Sequence, residues 1–163
     1  MAERGHGQAQ ARFERVYVEL DWYDGPRGGL ADVNSVPHYF QAVHDSSHPD
    51  APDDVYHVWP ATGDVVDLER EQWAIFVAWN SRYEAGTAAT DTHPALGGID
   101  ARYDELTDLL TRHRAVPPGA RRLAAEWRQA ERATRYHADG PDYLVRWHAI
   151  TSAGEPGGIS SPR

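Results

Sequence analysis

The chain has no cysteine, which excludes disulfides, thiolate catalysis and cysteine-ligated zinc. It has no lysine either, since all sixteen of its basic residues are arginine. A preference spread along the whole sequence reads as the codon bias of a GC-rich genome, because the demand of one site would be local. No run of about 18 apolar residues occurs, so no transmembrane helix is expected. The amino-terminal "MAERGHGQAQARFER" lacks the apolar core of a secretory signal. A phosphate-binding loop, GxSxG, HExxH and GxGxxG are all missing, and with them the common nucleotide-binding and hydrolase signatures. These absences support an expectation of a cytoplasmic protein without a cofactor.

What remains is enough for one folded domain. A chain of 163 residues buries roughly two-thirds of the surface its unfolded form exposes. An apolar share of 40% with six tryptophans supplies a core. A charged share of 25% and a mean hydropathy of −0.67 are those of a soluble protein. The charge is uneven. Glu19 to Asp108 holds eighteen acids against four arginines, whereas Arg112 to Arg146 holds eight arginines against four acids. The acidic front opposes nucleic acid and anionic membranes, and suits a basic partner or simply a solvated surface.

The organisation expected is a flexible stretch over residues 1–12, a single α+β domain over 13–150, and a Gly/Pro/Ser-rich disordered tail over 151–163. "RVYVELDWY" alternates, placing Val16, Val18, Leu20 and Trp22 on one face and Tyr17, Glu19, Asp21 and Tyr23 on the other. "DGPRGG" breaks that strand, "GLADV" resumes it, "NS" turns, and "PHYFQAV" and "VYHVWP" complete an antiparallel meander of about four strands. The period then changes. "DLEREQWAIFVAWNSRYEAG" predicts a helix over about 67–85, with Asp67 as N-cap, Glu69 and Glu71 complementing the dipole and Gly86 just past the end. Trp73, Phe76 and Trp79 would pack it on the sheet. A second helix is expected from about Ile99 to His113, with Ile99, Tyr103, Leu106 and Leu110 inward. A third is expected over about 119–133, with Leu123 and Trp127 inward and Arg121, Arg122, Arg128 and Arg132 outward. "DYLVRWHAI" closes the domain as a C-terminal strand of the same sheet, leaving about three helices on one face.

The stretch richest in chemistry is "DWYDGPRGGLADVNSVPHYF". A turn at the end of a rigid sheet is where function tends to sit. Trp22 and Tyr23 offer stacking surfaces there, and Arg27 a fork for carboxylate or phosphate. Asp24 is either a ligand contact or an Asx-type turn residue. Across neighbouring strands, Glu19 or Asp21 would approach His38 or His57, and a carboxylate orienting an imidazole is the unit of general acid–base catalysis. Each could equally be a solvated surface residue. His93, in "THPAL" ahead of a helix, is either part of a lid over the sheet edge or a local hydrogen-bonding residue. His44 and His48 have HxxxH spacing, but Ser and Pro in "HDSSHPD" argue for a loop, so no metal site is expected.

The segment "DWYDGPRGGLADVNSVPHYF", with "VYHVWP" and "EQWAIFVAW" after it, resembles a group of small uncharacterised bacterial proteins. The likeness spans roughly residues 15–150 and implies one domain, with no activity attached. Two function classes stand. One is a small acidic binding protein, an immunity-type or regulatory partner, that uses the hairpin end around residues 21–40 against a basic protein or a small molecule. The other is a small-molecule enzyme with an Asp/His site between sheet and helices.

Overall fold

The computed structural model describes residues 11–43 and 54–150, and the expectations for the amino-terminal ten residues, the tail, and the His44/His48 pair lie outside it. The domain is α+β. Four strands form the expected meander: β1 (Glu14–Trp22), β2 (Pro26–Val33), β3 (Val36–Ala42) and β4 (Val55–Pro60). Two helices follow, α1 (Gly63–Glu84) and α2 (Ala101–Leu110), joined by two short 3-10 turns. Then come β5 (Arg121–Gln129), a small hairpin of β6 (Tyr136–His137) and β7 (Gly140–Pro141), and β8 (Tyr143–Ala149). Among the described residues no helix is long and apolar enough to cross a membrane.

The sheet closes on itself. Its order is β1-β2-β3-β4-β5-β8, a six-stranded antiparallel barrel rather than an open sheet with helices on one face. Closure replaces two edge strands with one more ladder, which removes unpaired backbone groups. The third helix expected over 119–133 is instead β5. Leu123 and Trp127 are four apart, and that spacing keeps two side chains on one face of either a helix or a strand. The buried Ala125 between them, and seven pairs with β8 from Leu123↔Ala149 to Gln129↔Tyr143, decide for the strand. Tertiary pairing here overrides the helix propensity of Arg, Ala and Glu.

The turn at "NS" is a two-residue hairpin. Asn34 and Ser35 both take positive φ, 52° and 65°, as a type I′ turn requires. The Glu14 carboxylate accepts both of their backbone N–H groups, at 3.2 and 2.6 Å.

Two cores result. Inside the barrel, Phe40, Tyr56, Trp127 and Trp147 pack ring on ring at 5.5–6.1 Å around Val16, Ala31 and Val145. The interior is a packed core, not a channel. Outside it, Val18, Leu30, Tyr39 and Trp59 meet Val65 and Trp73 of α1 and Leu106 and Leu110 of α2. Val16 and Val18 therefore face opposite ways. The ladder with β2 carries three register shifts, and two of them, between Val16 and Val18 and between Glu19 and Asp21, break the clean alternation expected of β1. Each is a bulge that sets two residues against one and re-aims the chain. Glu19 turns inward opposite Gly29, and Asp21 turns outward opposite Gly28.

The helices also depart from expectation in detail. α1 starts four residues early, with Thr62 rather than Asp67 at its N-cap, and ends with Gly86 at φ 76° as expected. Its buried row is Val65, Glu69, Gln72, Trp73 and Trp79, with Phe76 half-buried beside it. Glu69 is thus a core residue rather than a dipole charge in solvent. In α2, Leu106 and Leu110 are fully buried, whereas Ile99 precedes the helix and is exposed.

Candidate functional site

β1 joins β8 through only two pairs, Glu14↔Val145 and Arg15↔Leu144. Beyond them the β6–β7 hairpin lies alongside β1, with Gly140 directly against the Val16 carbonyl. The free end of β1 then runs past α1 to the tip. Between that end, the middle of α1 and residues 93–103 lies a half-open cavity of about 270 Å³. Val18, Leu20, Trp22, Trp73 and Phe76 form its apolar wall. Glu19, Asp21, Glu69, Gln72, His93 and Tyr103 supply the polar groups.

The floor is a buried network. Glu69, 1% exposed, receives Arg114 in a bidentate pair, Nε and Nη2 each at 2.8 Å, and the Tyr39 hydroxyl at 2.7 Å. Arg114 also donates to Gln72 Oε1 at 2.5 Å. The Gln72 amide donates in turn to the Tyr103 carbonyl and the Thr107 hydroxyl, at 3.0 and 2.7 Å. Every group on the floor is fixed from several sides. Burial, and the Glu69 charge beside it, push the Tyr39 hydroxyl above its ordinary range, so it stays a donor.

A second network stands at the barrel seam. Glu19 accepts from Arg135 Nη2 at 3.1 Å and from the Tyr143 hydroxyl at 2.9 Å. Burial raises the Glu19 carboxyl above the usual range despite these partners. The Arg135 guanidinium lies over the rings of Trp22 and Tyr136, 4.2 and 4.7 Å from their centres, and pairs with Asp142 at 3.7 Å. Tyr136 in turn packs edge-on against Trp73 and Phe76. The seam is thereby tied to the cavity wall.

His93 closes the third side. Its Nδ1 accepts the Ala95 N–H at 3.0 Å, which places the proton of the neutral ring on Nε2. It packs against Trp79 and Phe76, at 4.4 and 5.6 Å. Burial lowers its pKa, and it does the same at His57, helped there by the Arg122 charge. The folded state then takes up these protons later than the unfolded state does. Their contribution to stability is fully present above about pH 6.5 and is lost as pH falls through the folded-state values. Glu19 acts in the opposite sense, protonating first in the folded state. Replacing His93 with Gln is expected to flatten the fall in Tm between about pH 6.5 and 5. Melting curves across that range check it, and an unchanged slope would show that His93 is not held neutral.

The structure brings four of the sequence candidates to one place: Glu19, Asp21, Trp22 and His93 all line the cavity. Tyr23 and Asp24 stand in solvent at the tip, where Asp24 (φ 52°) and Gly25 (φ 124°) reverse the chain. Arg27 donates its Nε to the Tyr23 carbonyl at 2.8 Å and so helps hold that turn. His38 lies away from the cavity, its Nδ1 2.7 Å from the Val36 carbonyl. His57 shares a row with Asp21 through Asp21↔Gly28, Gly28↔Gln41 and Gln41↔His57. That places them three strand spacings apart, about 14 Å, too far for a hydrogen bond. Among the described residues neither Asp21 nor Glu19, which holds Arg135 and Tyr143 instead, pairs with His38 or His57. Glu69, Gln72, Tyr103, Arg114 and Arg135 complete the site, and none of them was a site candidate in the sequence. The one signal for Glu69 was a charge on the helical row of Val65 and Trp73. Among the described residues no group of three or more His, Asp or Glu side chains is arranged to hold a metal ion.

The class of molecule defined so far is a closed six-stranded barrel carrying two helices on its flank and a cavity beneath them. Searches against family models, curated proteins and solved structures return no match to the chain.

Proposed function

We propose that this protein is a ligand-binding domain, and that its ligand is a small organic molecule seated in the cavity between β1, α1 and residues 93–103. The observation that carries this reading is Trp22. The other five tryptophans donate their indole N–H within the fold: Trp59 to the His113 carbonyl, Trp73 to the His137 carbonyl, Trp79 to Thr92, Trp127 to Tyr56 and Trp147 to the Asp32 carbonyl. Trp22 is 45% exposed, its N–H has no partner among the described residues, and it stands on the cavity wall. An amphipathic ring left half in solvent with a free donor is suited to a ligand rather than to the core. Glu19, Glu69, Gln72 and His93 are held in place before any ligand arrives, which lowers the entropic cost of binding. A cytoplasmic setting and indifference to nucleic acid belong to the same proposal, supported by the lack of cysteine and the acidic front.

The test is a thermal-shift screen of small aromatic fragments, followed by titration of tryptophan fluorescence in wild type and Trp22→Ala. Trp22→Ala is expected to cost stability about 1 kcal/mol, the loss of one partly exposed cation–π contact. It should weaken fragment binding about tenfold or more. Unchanged affinity in the variant would overturn the assignment.

A second reading is favoured by the tip itself. Leu20, Trp22 and Tyr23 are exposed together at 38, 45 and 78%, beside Asp21 and Asp24. Aromatic residues framed by acids fit a basic protein partner, as expected of an immunity-type or regulatory protein. Tyr23 separates the two readings because it does not line the cavity. Tyr23→Ser should weaken a protein partner and leave fragment binding unchanged.

A further inference from the structure

We infer that the cavity selects a ligand with one positive charge next to an aromatic or alkyl body, such as an aryl-alkyl amine. The inference rests on the cavity being the binding site. Its apolar part follows from the wall, where Trp22, Trp73 and Phe76 present ring surface to a space at the small end of ligand pockets. Its charge follows from a count of what each wall group already holds. Three carboxylates line the cavity, those of Glu19, Asp21 and Glu69, and no arginine does. Glu69 is neutralised from behind by Arg114, and Glu19 by Arg135. The Asp21 carboxylate makes no ion pair or hydrogen bond among the described residues, and it stands at the mouth beside Trp22.

The site therefore keeps one uncompensated negative charge over aromatic walls. A ligand carboxylate or phosphate would meet that charge with no arginine among the residues that line the cavity, and the guanidiniums of Arg114 and Arg135 behind them are committed to buried carboxylates. An ammonium group would gain Asp21 as a counter-ion and the face of an aromatic ring as a second attraction. His93 adds no competing charge at neutral pH, since burial favours its neutral form. The net charge of −9 over the whole chain draws cations toward the mouth in the same sense.

The experiment uses the full chain and three probes of one shape: phenethylamine, 3-phenylpropionate and 2-phenylethanol. Each is titrated by calorimetry into wild type, Asp21→Asn and Trp22→Ala at low and moderate salt. Phenethylamine is expected to bind about tenfold or more tighter than the other two. That advantage should shrink several-fold in Asp21→Asn and with added salt, while the alcohol is unaffected by either. Trp22→Ala should weaken amine and alcohol alike. If all three probes bind equally and Trp22→Ala weakens them all, the cavity is the site and the charge selection is wrong. If none binds at millimolar concentration, both the cavity reading and this inference fall.

Discussion

Replacing Arg114 with Met is expected to cost about 3–5 kcal/mol of stability, among the largest effects of any single substitution in the domain. Among the described residues Arg114 is the only cation on the Glu69 carboxylate, which is 1% exposed and retains just the Tyr39 hydroxyl once the guanidinium is gone. A carboxylate taken out of water without a counter-charge is far costlier than a pair that was never built. The same substitution leaves the Gln72 carbonyl oxygen without its donor. For a chain of this size about 1 kcal/mol shifts Tm by roughly 2–4 °C, so a fall of about 6–20 °C should appear in calorimetry.

Two companions make the result interpretable. Arg114→Lys keeps the charge but not the planar fork, which serves both Glu69 oxygens and Gln72 together, so an intermediate loss is expected. Glu69→Leu combined with Arg114→Met removes the pair as a unit and should recover a good part of the loss, because the buried charge has gone too. A single Arg114→Met variant within about 1 kcal/mol of wild type would mean that the pair is solvated in solution. The network matters to function through rigidity. It anchors Tyr39 of the barrel, α1 and the chain after α2 to one another beneath the cavity.

How far the sequence foretold this arrangement can be followed residue by residue. Strands with a period of two and strong punctuation were legible. "NS" between Val33 and Val36 named its own turn, and "DYLVRWHAI" found its place in the sheet. The bulges in β1 were not legible, because an inserted residue leaves the alternation of residue types intact while reversing what each faces. Val16 and Val18 look equivalent in sequence, yet one lies inside the barrel and the other under the helices. β5 failed for a different reason. Leu123 and Trp127 satisfy both periods, and the arginines and alanines around them tip a local reading toward helix. The site was legible in its exposed half, where Asp21, Trp22 and His93 lie near turns. Its buried half depends on contacts across long sequence separations, Glu69 with Arg114 and Glu19 with Arg135, which no local pattern encodes.

The seam between β1 and the small hairpin leads to the last expected result. Gly140→Ala should destabilise the protein by about 2–5 kcal/mol, with strain and overlap adding. Gly140 sits at φ 137°, a conformation in which a Cβ is strained wherever it occurs. A Cβ there would also overlap the Val16 carbonyl oxygen, with the Val16 carbonyl carbon at 3.3 Å and the Tyr17 oxygen at 3.4 Å behind it. These are backbone atoms of a strand held by β2 on one side and packed against the β6–β7 hairpin on the other, so they cannot swing away as a side-chain end would. Gly119→Ala is the control. It too has positive φ, 76°, but nothing lies within 4 Å of the added carbon, so strain alone, about 1 kcal/mol, is expected. The two substitutions should differ in a second measurement as well. The hairpin carries Arg135, which clamps Glu19 and covers Trp22, and the His137 carbonyl, which accepts the Trp73 N–H at 2.8 Å. Displacing Gly140 should loosen both walls of the cavity. Fragment affinity should then fall in Gly140→Ala under conditions where the variant is still folded, and stay unchanged in Gly119→Ala. Equal melting temperatures for the two variants would show that the hairpin can lift off β1 at little cost, and that the seam is softer than its contacts imply.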